Sequence, residues 1–285
     1  MDGAAAETLK PALQRLGLAL GVLLIISAGQ APAATFKPTR TRSARRSFAI
    51  NLRRRLNVQP LITDPGTVEL DWNFLLSNQA SDFSLPTTLR ITPEGPYVFW
   101  GRSEFSVNFD AVESSTASGS RVNHFTDRVN LAMTSVLVDA AHFDLAAGPE
   151  VTILTRGDHG ARLGGFLIGR GDWGRNSAGF TANWTGATAA SDTNPAGTLD
   201  VGFGGGRRLG TKGLAGQLTL HGNYLYERST GVAGFHSIFE GVEIELSDRV
   251  ALDLSAQHIG LGPGGGAVDH QFLAGLSINL GRYRH

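Results

Sequence analysis

From Thr67 onward the chain alternates between polar and apolar residues with a period of two. Val68, Leu70, Trp72 and Phe74 fall on one side of the ribbon, and Glu69, Asp71 and Asn73 fall on the other. Successive side chains of a strand point to opposite faces, so this pattern describes strands with one oily and one wet side. It recurs along the chain. Phe105, Val107 and Phe109 oppose Glu104, Ser106, Asn108 and Asp110; Val242, Ile244 and Leu246 oppose Glu243 and Glu245; Phe272, Leu276, Ile278 and Leu280 oppose Gln271, Ser277 and Asn279.

Such segments predict twelve strands, near 67–76, 83–92, 96–110, 127–138, 143–154, 161–170, 177–186, 197–207, 216–227, 235–246, 250–259 and 269–280. Most run 10–12 residues, against ~5–6 for a soluble strand and ~9–11 for a tilted strand crossing a bilayer. Long connections at 111–126, 187–196 and 260–268 alternate with short ones at Pro93-Glu94-Gly95, Asp139-Ala140-Ala141 and Ser247-Asp248-Arg249. Long loops at one end and short turns at the other mark outer-membrane barrels. A sheet in lipid cannot leave an edge unpaired, because each free backbone group there costs several kcal/mol. The expected fold is therefore all-β: a closed, up-and-down antiparallel transmembrane barrel of about twelve strands. Tyr97, Phe99, Phe109, Trp184, Tyr224, Tyr226 and Phe235 lie near strand ends, where rings suit the lipid–water boundary. The cell outer membrane is the expected location.

The first 63 residues obey other rules. Residues 16–28 form an apolar run of 13, short of the ~20 that a spanning helix needs. With Lys10 and Arg15 before it and Ala31-Pro32-Ala33 after it, residues 1–34 read as a secretory signal peptide cut near Ala33 or Ala34. Residues 35–63 carry eight basic residues and no acid. They read as a disordered basic extension or an interfacial helix, with Phe48, Leu52 and Leu56 spaced four apart. The barrel is assigned to 64–285, which holds 23 acids against 15 Lys and Arg. An acidic body of this kind argues against nucleic acid as a partner.

The polar phase of the strands places Glu69, Asp71, Arg90, Arg102, Glu104, Asp110, Asp144, Glu150, Arg162, Arg170, Asp200, Glu227, Glu243, Glu245 and Asp253 on the inner face, eleven acids against four arginines. Hydrocarbon tolerates such charges poorly, whereas a wet lumen holds them and sets the field along a path. A narrow acidic lumen follows, and with it a channel for small solutes.

Two other classes compete. A non-conducting structural or adhesive barrel would use its loops, the longest being 111–126. An outer-membrane hydrolase needs a nucleophile, a base and an orienting group in reach. Eight histidines are present, but none forms an H-x-H or H-E-x-x-H pair, and no G-x-S-x-G occurs. The chain has no cysteine, which removes thiolate metal sites and cysteine nucleophiles. No catalytic residue, metal or cofactor is assigned.

Certain stretches carry a family likeness. Leu61-Ile62-Thr63-Asp64, Leu85-Pro86-Thr87-Thr88-Leu89-Arg90, the run 243–253 (EIELSDRVALD) and the run 269–281 (DHQFLAGLSINLG) resemble the outer-membrane transporter family named after the meta-pathway of phenol degradation. The resemblance covers roughly 61–281. It implies a Gram-negative outer-membrane barrel that admits small, often aromatic or neutral, compounds. The implied partners are the bilayer, the solute and, during biogenesis, the barrel-assembly machinery.

Overall fold

The computed structural model describes residues 61–77, 83–94, 102–117, 120–124, 128–155, 160–190, 195–231, 234–261 and 269–282. The expected signal peptide and most of the expected basic extension, 1–60, lie outside the described residues.

Thirteen strands form one antiparallel sheet: β1 (Thr67–Ser77), β2 (Phe83–Thr92), β3 (Ser103–Ala117), β4 (Ser120–His124), β5 (Arg128–Ala140), β6 (Phe143–Leu154), β7 (Ala161–Trp173), β8 (Asn176–Ala187), β9 (Gly197–Arg208), β10 (Leu218–Ser229), β11 (Phe235–Ser247), β12 (Val250–Leu261) and β13 (Asp269–Arg282). Each pairs with its sequence neighbour, apart from β5, which pairs with β3. The first strand pairs with β2 on one side and with β13 on the other, so the wall closes. Among the described residues the short β4 pairs only with β3 and stands outside the circuit, which leaves twelve strands in the barrel.

Two-residue turns close one end at Ala141-His142, Gly174-Arg175 and Asp248-Arg249. Gly174 takes φ 64°, a left-handed conformation that a side chain resists. Among the described residues the expected boundaries hold to within a few residues except at the far end of β3. The described part of β3 begins at Ser103, the expected start near 96 lying outside the described residues, and the strand continues to Ala117 through residues expected to be loop. There it forms a β-ribbon with β4, with register Glu113↔His124 to Ala117↔Ser120. A single helical turn, α1 (Gly213–Gln217), precedes β10, so that strand starts at Leu218 rather than 216.

Burial is inverted relative to a water-soluble protein. Trp72 is 42% exposed and Phe272 70% exposed, while Asp71 is 0%, Arg90 1% and Glu104 1% exposed. Large apolar side chains from every quarter of the wall share the exposed side, among them Phe105, Leu131, Leu163, Trp184, Phe203, Leu220, Ile238 and Leu254. In a closed sheet the sheltered face is the inner one. The polar phase of the strands thus turns inward and the apolar phase turns outward, as acyl-chain solvent requires.

Candidate functional site

The inner wall is built by strand parity. Odd residues of β1 and even residues of β2 and β3 point inward, which brings Glu69, Asp71, Arg90 and Glu104 to one side of the lumen. Arg90 of β2 lies opposite Glu69 of β1. Its Nη1 donates to Glu69 Oε1 at 2.8 Å, and its Nη2 lies 2.7 Å from Asp71 Oδ2. Ser277 Oγ of β13 donates to Asp71 Oδ1 across the closure. All four groups are buried, so the guanidinium balances two carboxylates where water is scarce.

A band of amides continues around the wall. Thr88 Oγ1 donates to Asn108 Oδ1 at 2.8 Å, Asn108 Nδ2 to Asn130 Oδ1 at 3.1 Å, and Asn130 Nδ2 to Glu150 Oε2 at 3.2 Å and Thr152 Oγ1 at 3.0 Å. The chain of bonds crosses β2, β3, β5 and β6 at one level, because Thr88↔Asn108, Asn108↔Asn130 and Asn130↔Thr152 are register partners. Further round, Arg162 of β7 donates to Thr185 Oγ1 and Thr198 Oγ1, both at 2.8 Å, and to the Pro195 carbonyl at 2.8 Å.

The remaining expected residues are distributed as follows. Asp144 is half-buried and faces Arg170 across the β6–β7 register. Arg170 pairs with Asp172 at 2.7 Å. Asp200 is half-buried beside Asn183, and Glu243 is buried opposite Asp253. Glu227 faces Asp200 across β9 and β10. Asp110 is fully buried on β3. Glu245 sits at the short-turn end and pairs with exposed Arg208 at 2.6 Å. Arg102 is exposed and immediately precedes β3, and its Nη2 donates to the Thr63 carbonyl at 3.4 Å.

Asp253 accepts from Ser255 Oγ at 2.7 Å and lies 2.7 Å from His221 Nε2. Ser and His both rest on the carboxylate. A nucleophile needs its hydroxyl on the imidazole, and this order does not supply that relay. Among the described residues no group of three His, Asp or Glu is placed to hold a metal ion.

Sequence reasoning missed the apolar part of the wall. Leu75, Phe166, Ile168, Leu225, Phe239, Ile259 and Leu273 are buried and inward-facing. Their signal was parity: Leu75 is in phase with Asp71 and Asn73, and Phe239 with Glu243. Phe239, Leu75 and Leu273 pack together. Leu61 was missed as well. It precedes β1 yet packs with Ala132, Ala146, Phe166 and Ile168 on the inner side of β5–β7.

Comparison with solved structures finds outer-membrane barrels. The COG4313 outer membrane channel from Pseudomonas putida F1 aligns with TM-score 0.56 and 10% identity over 79% of this chain and 100% of that chain. The NanC porin aligns with TM-score 0.53 and 10% identity over 74% and 100%. The KdgM porin aligns with TM-score 0.50 and 9% identity over 75% and 99%. No protein-family model matches the chain, and no curated protein matches its sequence. At these identities the likeness speaks for architecture, and the architecture is the closed antiparallel barrel of outer-membrane channels.

Proposed function

We propose that this chain is an exported outer-membrane barrel that passes small solutes through its lumen. The observation that carries the reading is the inverted burial: a wall with Trp72, Phe74 and Leu254 outside and Asp71, Arg90 and Glu104 inside matches lipid on one side and a polar path on the other. The lipid bilayer is its solvent, and the barrel-assembly machinery inserts it. The printed names of the NanC and KdgM porins and the COG4313 channel support the channel class.

Acids outnumber arginines on the inner face, so the path disfavours anions. The buried rings of Phe166 and Phe239, with Leu75, Leu225 and Leu273, add apolar surface to it. That mixture suits small neutral or aromatic compounds, in keeping with the family likeness. No cofactor enters this scheme.

The test is reconstitution into planar bilayers and liposomes, with charged, neutral and aromatic solutes. Cation-leaning conductance and swelling with neutral solutes support the reading, and clear anion preference overturns its electrostatic part. A second reading is a non-conducting barrel with a structural or adhesive role. The depth at which Arg90, Glu69 and Asp71 are sealed favours it. Absence of conductance from correctly folded protein selects it.

A further inference from the structure

One carboxylate stands on the oily side of the wall. On β11 the odd residues Ser237, Phe239 and Glu243 are buried on the inner side, so Glu240 shares the outer face with Ile238 and Val242. Its side chain is 70% exposed. Ile238 and Val242 flank it along the strand, and its register partners are Gly222 of β10 and Ala256 of β12. Glu240 is therefore set within the apolar band and away from either end of β11. Lipid tolerates an ionisable side chain poorly, and one that persists there marks a contact or a path.

Two imidazoles lie beside it. On β12 and β13 the buried residues Asp253, Gln257, Gln271 and Leu273 are odd, so His258 and His270 also face outward. His258 Nε2 is 3.6 Å from Glu240 Oε1, and the Nδ1 atoms of His258 and His270 share a hydrogen bond of 2.7 Å. On the other side of Glu240 the wall is nearly bare. Its row continues through Gly222 of β10, Gly205 of β9 and Ala178 of β8, all on the outer face.

We propose that this patch is a docking surface for a second copy of the chain, in a two-fold dimer where Glu240 of each barrel meets His258 of the other. Two surfaces in lipid gain little from the hydrophobic effect; they associate by close packing of small residues and by polar groups that bond one another. The Gly222–Gly205–Ala178 row lets two walls approach, and Glu240 and His258 supply the bonds. A two-fold contact uses the same patch twice and needs it to be self-complementary. An acid next to a base meets that need, because a half-turn sets each acid against the other copy's base. A lipid phosphate is repelled by the carboxylate, and a wholly apolar partner leaves it unsatisfied. The inference rests on the outer face meeting lipid.

The chain has no cysteine, so a single thiol reports the contact. Ala256→Cys stands beside Glu240, and Leu131→Cys, exposed on β5 six strands away round the circuit of twelve, is the control. In dilute phosphatidylcholine vesicles a short bis-maleimide joins Ala256→Cys barrels into dimers at least tenfold more than Leu131→Cys barrels. Adding Glu240→Leu lowers that yield at least tenfold. Exchanging the pair, Glu240→His with His258→Glu, restores at least half of it, whereas either half of the exchange alone does not. Resistance to SDS unfolding before heating confirms that each barrel is intact.

A yield that ignores Glu240→Leu overturns the interface, and so does an exchanged pair that stays monomeric. Inserted Ala256→Cys barrels that remain single also overturn it. Loss of dimers when phosphatidylethanolamine is added assigns the patch to a lipid amine instead. Protein that never enters the vesicles overturns the lipid-facing wall, and the dimer with it.

Discussion

Arg90 Nη2 and Asp71 Oδ2 lie 2.7 Å apart with both side chains sealed from solvent, and Glu69 holds the other arm of the same guanidinium at 2.8 Å. Removing one member of a buried ion cluster leaves uncompensated charge and costs about 3–5 kcal/mol, whereas replacing the whole cluster with neutral groups of similar volume is often close to neutral. Arg90→Met is therefore expected to destabilise the barrel by about 3 kcal/mol or more. The triple variant with Glu69→Gln and Asp71→Asn recovers most of that loss. Urea unfolding in lipid vesicles, followed by tryptophan fluorescence, measures both. A triple variant as weak as Arg90→Met would falsify the compensation.

The lipid face makes a depth-dependent prediction. Leu254 pairs with Val242 and Ala274 near the middle of its strand, and it is exposed. Leu246 is also exposed but lies beside the Asp248-Arg249 turn. An arginine at the bilayer midplane costs about 2–4 kcal/mol and near the interface about 0–1 kcal/mol. Leu254→Arg is expected to lose several times more stability than Leu246→Arg in the same vesicles. Equal losses would mean that the wall is not embedded as described.

Gly148 gives a test of the inner packing of β5 against β6. A methyl group built there would meet the Met133 carbonyl oxygen at 1.5 Å, and that oxygen belongs to backbone and cannot swing aside. Gly148→Ala is expected to cost more than the ~1–3 kcal/mol of ordinary overpacking. It should reduce the yield of the SDS-resistant, heat-modifiable form. Gly222→Ala is the control, because its nearest neighbour, the Phe239 carbonyl oxygen, lies at an ordinary 3.5 Å. A normal yield from Gly148→Ala would place β6 in a different register.

The amide band predicts coupling. Asn130 accepts from Asn108 and donates to Glu150 and Thr152. Leaving a buried partner unsatisfied costs about 1–3 kcal/mol. Asn108→Ala and Asn130→Ala are each expected to destabilise by that amount, and the double variant by clearly less than their sum. A double-mutant cycle in vesicles reads the coupling directly. Simple additivity would show that the two amides do not share a bond.

Period-two patterning made the barrel legible, because a wall with lipid on one side and a lumen on the other enforces parity on every spanning residue. Glu69, Asp71, Arg90, Glu150, Arg162 and Asp253 were placed on the inner face by that rule alone. The rule weakens where only one solvent is present. Residues 111–117 (AVESSTA), which continue β3 into the β3–β4 ribbon, carry no sustained alternation of apolar and polar types to detect. The burial of Leu61 and Ile62 was not legible for another reason: beyond their place in the family likeness, two apolar residues at the end of a basic segment look the same whether exposed or buried. Phe166 and Phe239 follow the correct parity but break the polar expectation, so the inner wall is an apolar packed surface as well as a polar one.

The bond from Ser277 to Asp71 joins residues 206 positions apart. Strand β1 leaves the ribosome early and waits for β13, so no shorter nascent fragment has a complete cylinder. Its two raw margins stay open throughout synthesis, available to any other unpaired ribbon. Contacts this remote in sequence are slow to form. Closure of the cylinder therefore waits for the final strand to arrive.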